Sequence, residues 1–155
     1  MARHKKQFIL FLVLSILVLL FIFYNSTRNG EQSNNLSQGF MHTLLSLIDP
    51  NGKLDTEIVH FLIRKGAHFT EFAVLGGLLC AMMNALFKMK SVFYKSMMFL
   101  ICLFSAVTDE LIQSFNTRTS SVRDVLLDFA GAACGILIVR LILKGTQKRK
   151  NPEIY

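Results

Sequence analysis

The chain lacks the short motifs that mark most metalloproteins, triad hydrolases and nucleotide-binding proteins. It has no His-Glu-x-x-His, no EF-hand loop, no paired Cys/His ligands, no Ser/His/Asp order and no phosphate-binding glycine loop. It has few cysteines: Cys80, Cys102 and Cys134 each lie inside an apolar block. Their odd count and spacing argue against a disulfide framework and leave them as small packing residues. Tryptophan is absent, only 17% of residues are charged, and no internal repeat is visible. The alternation of apolar and charged residues that a soluble domain of this size would show is missing as well. In its place stand long apolar blocks, with 52% hydrophobic residues and a mean hydropathy of +0.45. The composition is that of an all-α integral membrane protein whose first partner is the lipid bilayer. The net charge of +7 needs no nucleic acid to explain it, because the basic residues lie mostly between the apolar blocks, where they set topology.

Four transmembrane helices are expected. Residues 1–24 form a basic N-terminus and a first anchor, apolar over 8–24. No small-x-small cleavage site follows, so the segment is read as retained and not as a cleaved signal peptide. Residues 25–62 form an outer loop. It is polar and flexible over 25–35, then carries a short interfacial helix over 36–48 with Phe40, Leu44, Leu47 and Ile48 on one face. Asp49-Pro50-Asn51-Gly52 marks a turn, and Asp55 is placed to cap the helix leading into the second span. Residues 63–143 form a core of three spans, about 66–87, 92–115 and 124–143. Residues 144–155 form a basic polar tail. Lysines and arginines at the N-terminus, in the turn around Lys88, Lys90 and Lys95, and in the tail put both termini in the cytoplasm.

The remaining charges gather at the outer ends of three spans. Arg64, Lys65, His68 and Glu71 open the second span. Asp109, Glu110 and Gln113 close the third. Arg123, Asp124 and Asp128 open the fourth, with Arg118 in the turn before it. Glu71, Asp109 and Asp128 each fall within roughly 10 Å of the outer end of their span, so distant motifs share one shallow slab. Arg64, His68 and Glu71 share a helical face, as do Asp124, Asp128, Gly131 and Gly135. Gly131-x-x-x-Gly135 is a close-packing pattern for membrane helices. Asp109 and Gln113 lie over Ser105 and Cys102. Asp109 and Glu110 sit near a helix C-terminus, where the dipole opposes negative charge, and their expected partners are Arg118, Lys65 and His68.

Ionisable groups at this depth are functional candidates by default. His68, Glu71, Asp109, Glu110 and Asp128 are candidate catalytic acids and bases, with His68 placed to shuttle a proton. Arg64, Lys65, Gln113, Arg118, Arg123 and Asp124 are candidate binding residues, the cations suiting a phosphate or carboxylate. No metal set is assigned and no cofactor is expected, although the acids can hold a divalent cation through oxygen ligands. A self-paired network that only holds the bundle together is the structural alternative. A conduction path is disfavoured, because the inner halves offer little besides Asn84 and Arg140.

Asp109-Glu110-x-x-Gln113, Arg118 and Asp124-x-x-x-Asp128-x-x-Gly131-x-x-x-Gly135, together with Arg64-Lys65-Gly66-Ala67-His68-Phe69-x-Glu71-Phe72, resemble the motifs of the VanZ-like family of small bacterial membrane proteins. They cover roughly residues 63–142. Asn116-Thr117 stands where the family carries Pro-Gly before the loop arginine, and the loop is shorter. The resemblance implies a multi-pass protein of the cell membrane, and the distribution of basic residues turns its polar site outward. It also implies a link to resistance against glycopeptide antibiotics such as teicoplanin. Its ligand would be a lipid-linked cell-wall precursor or a glycopeptide. Catalysis on such a substrate and non-catalytic binding or shielding both stay open.

Overall fold

The computed structural model describes residues 2–28, 55–87, 91–115 and 121–150. These form four α-helices: α1 (Ala2–Ser26), α2 (Thr56–Phe87), α3 (Val92–Phe115) and α4 (Val122–Lys150). Each holds a stretch long and apolar enough to cross a membrane, namely His4–Ser26, Thr56–Leu86, Val92–Phe115 and Val122–Thr146. The expected interfacial helix over 36–48 and the turn at 49–52 lie outside the described residues.

Local chemistry sets where the helices start. Asp55 caps α2 as expected, its Oδ1 accepting the Glu57 N–H at 2.9 Å. Ser91 does the same for α3, accepting from the Phe93 N–H at 3.2 Å. Ser121 caps α4 by accepting from the Arg123 N–H at 3.2 Å. α2 begins at Thr56, directly after its expected cap. Two helices run beyond their expected ends. α1 continues past Tyr24 through Ser26. α4 continues to Lys150, where a polar tail was expected from residue 144. That last extension has a local cause. The chain has no proline between Pro50 and Pro152, and the basic residues of the tail suit a helix C-terminus.

Packing is uneven. α2 makes its most extensive contact with α4 and a lesser one with α1. A Cβ at Gly131 would overlap the carbonyl of Phe69, one at Gly135 the carbonyl of Ala73, and one at Gly76 the carbonyl of Ala132. The expected Gly131-x-x-x-Gly135 seam is therefore a backbone-on-backbone crossing of α2 and α4, with Gly76 supplying the reciprocal notch. The core is small: Phe72, Leu75, Leu79, Cys80, Met98, Cys102, Ala132 and Ile136 form one cluster with Ile22 of α1. Large apolar side chains such as Leu20, Phe104 and Leu141 point outward, as a surface solvated by acyl chains requires.

Candidate functional site

The buried face of α3 changes character along its length. Met98, Cys102, Ser105 and Ala106 give way, over the last two turns, to Asp109, Glu110 and Gln113. The spacing of three and four residues keeps all of them on one face. Two acids are thereby withdrawn almost wholly from solvent, Asp109 at 0% and Glu110 at 3% exposed, and Asp128 of α4 joins them at 2%.

His68 of α2 stands between two of them. Its Nδ1 lies 3.7 Å from Asp109 Oδ2 and 3.9 Å from Asp128 Oδ1. One ligand atom from each of the three residues fits within a span of 4.8 Å. Asp109 is held in place from two sides. Ser26 of α1 donates its hydroxyl to Oδ1, and Gln113 donates its amide to Oδ2 at 2.7 Å. Asp128 turns its Oδ1 to His68, with Asp109 on the other side of the imidazole. Glu110 Oε1 accepts the Ser121 N–H at 3.3 Å, tying the end of α3 to the start of α4. Glu110 Oε2 is buried without a hydrogen-bond partner.

A second tier surrounds this centre. Lys65 makes a close ion pair with Asp124. Glu71 Oε1 accepts from the Asn25 amide at 3.1 Å. An open apolar groove of ≈ 590 Å³ runs between α1 and α2, lined by Val18, Phe21, Ile63, Ala67 and Val74 among others, with Glu71 on its wall.

The helices thus bring His68, Asp109, Asp128 and Gln113 together, with Glu71, Glu110, Lys65 and Asp124 around them. Lys65 was expected to serve Asp109 or Glu110, and it serves Asp124. Arg64 is half-buried on α2 and Arg123 is exposed at the start of α4. Arg118 lies outside the described residues. Sequence reasoning missed Asn25 and Ser26, because the first span was ended at Tyr24 and the following residues read as flexible. A signal was present. Ser15, Ile22 and Ser26 are the buried residues of α1, spaced seven and four apart, and Phe11 and Val18 pack along the same stripe. The stripe shows that this helix has an inward face, which a simple anchor would not need.

These features define a multi-pass membrane protein, a four-helix bundle with a buried histidine–carboxylate centre near one end. The VanZ/LLP1 family model matches residues 11–143. The chain belongs to that family, and the match takes in α1 as well as the three helices that carry the motifs. Neither the curated proteins nor the solved structures yielded a match.

Proposed function

We propose that the centre faces the outer leaflet and acts chemically on a lipid-linked envelope substrate. The observation that carries this reading is the convergence of His68, Asp109 and Asp128 from three different helices within 4.8 Å. Burying charged groups is costly, and a structural role would be served as well by apolar packing. In the proposed reaction the lipid tail lies along the α1–α2 groove and the headgroup enters beside Glu71. His68 and Asp128 line the reacting position together, and Asp109, fixed by Ser26 and Gln113, holds the third side of it. Lys65, with Arg64 and Arg118 as further cations, holds a phosphate or carboxylate of the substrate. The outward direction rests on the distribution of basic residues, and a link to tolerance of teicoplanin-type glycopeptides rests on family membership.

The test is mass spectrometry of envelope lipids and precursors from cells with and without the gene. The expected outcome is a mass that appears or disappears with the wild-type protein and stays at the level of cells without the gene when the Asp128→Asn variant replaces it. An unchanged inventory would refute catalysis. The second reading, capture of a precursor or antibiotic without turnover, draws on the way Ser26 and Gln113 already hold Asp109 in place. It predicts saturable binding with altered glycopeptide tolerance and no new product.

A further inference from the structure

We propose that His68, Asp109 and Asp128 hold a divalent metal ion of the zinc type. The proposal concerns the same centre as the reading above, but it stands on spacing and burial. The gaps of 3.7 Å and 3.9 Å from His68 Nδ1 to the two carboxylates exceed hydrogen-bonding distance. Two atoms bound to one ion at about 2.1 Å stand about 3–4 Å apart, so these gaps match ligands around a common ion. All three ligand atoms lie within 4.8 Å of one another.

A second observation is independent of that spacing. Asp128 is 2% and Asp109 0% exposed, and both turn a carboxylate oxygen towards His68. Two carboxylates buried this close together are costly unless something positive meets them. On the same face of α3 as Asp109, Glu110 Oε2 is buried and without a hydrogen-bond partner. The donor set is one imidazole nitrogen and two carboxylate oxygens. Magnesium and calcium favour oxygen ligands alone, whereas an imidazole selects for zinc and its transition-metal neighbours. Three protein ligands leave a fourth position open, as in zinc sites that bind water or substrate. Ser26 and Gln113, bonded to Asp109, would orient that ligand from behind. The remaining acids of the slab, Glu71 and Asp124, are engaged by Asn25 and Lys65.

The experiment uses the full chain purified in detergent and stripped with a chelator, then titrated separately with zinc chloride and magnesium chloride in a calorimeter. One zinc per chain is expected. His68→Gln and Asp128→Asn should each weaken binding by at least tenfold, and Gln113→Ala by about tenfold. The zinc absorption edge of the wild-type protein supplies a readout that no variant can confound. Its fine structure should fit nitrogen and oxygen ligands at about 2.0–2.2 Å. No stoichiometric uptake by the wild-type chain, sulfur in the zinc shell, or equal affinity for magnesium would overturn the proposal. Stoichiometric zinc in cells whose envelope lipids do not change would sink the catalytic reading and leave the metal site standing.

Discussion

Asp109 and Asp128 face the same imidazole with different support. Asp109 is held by two side-chain donors, Ser26 and Gln113, whereas Asp128 is placed by its packing on α4 and faces His68. The two residues should therefore fail differently. Asp128→Asn keeps the shape of the side chain, so it should leave the amount of protein in the membrane unchanged. Turnover of the envelope substrate should fall roughly 100-fold or more, the scale of a lost acid–base group. Immunoblots of membrane fractions alongside lipid mass spectrometry check both halves; parallel loss of protein and product would mark Asp128 as structural. Ser26→Ala removes a donor from a fully buried carboxylate and should cost about 1–3 kcal/mol of stability. Thermal unfolding in detergent measures this. An unshifted midpoint would mean that α1 does not support the centre. At this scale much of the site was legible in advance. His68, Asp109, Asp128 and Gln113 were named from residue type and helical spacing, and all four meet. Asn25 and Ser26 were not, because polar residues following an apolar run read as the start of a loop until a partner for them is known.

The α2–α4 crossing fixes how far His68 stands from Asp128. Phe69, beside His68, places its carbonyl over Gly131, three residues beyond Asp128. Any side chain on the seam pushes the helices apart and widens the gap between the two functional groups. Gly135→Leu should cost about 1–3 kcal/mol, the range for overpacking. It should also abolish zinc uptake, although Gly135 touches none of the three ligand residues. Gly145→Ala, where nothing lies within 4 Å of the added atom, is the matched control and should change neither. Melting temperature and calorimetric zinc stoichiometry of the two variants check this pair, and intact zinc binding in Gly135→Leu would detach the seam from the site. The glycine pattern was visible in the sequence. Its partner surface was not, because Phe69, Ala73 and Ala132 contribute carbonyl oxygens, which every residue has.

For the whole molecule, the described helices bring their polar groups to one end, and the proposed topology, drawn from basic-residue bias, turns that end outward. Ser121→Cys, at the half-buried start of α4, should react with a membrane-impermeant maleimide in intact cells. Cys80 and Cys102, buried in the core, should stay silent. Labelling of Ser121→Cys only after permeabilisation would invert the topology and remove the outer-leaflet substrate. The sequence by itself determined the membrane setting, the four spans and most of the residues of the centre. Those follow from hydropathy and helical periodicity, which depend on near neighbours along the chain. Only the tertiary structure decided that Lys65 pairs with Asp124 in preference to Asp109 or Glu110, that α1 supplies Asn25 and Ser26, and that His68 stands between two carboxylates at metal-ligand spacing. Those depend on the rotation and depth of each helix against the others, which helix–helix packing sets and no local pattern encodes.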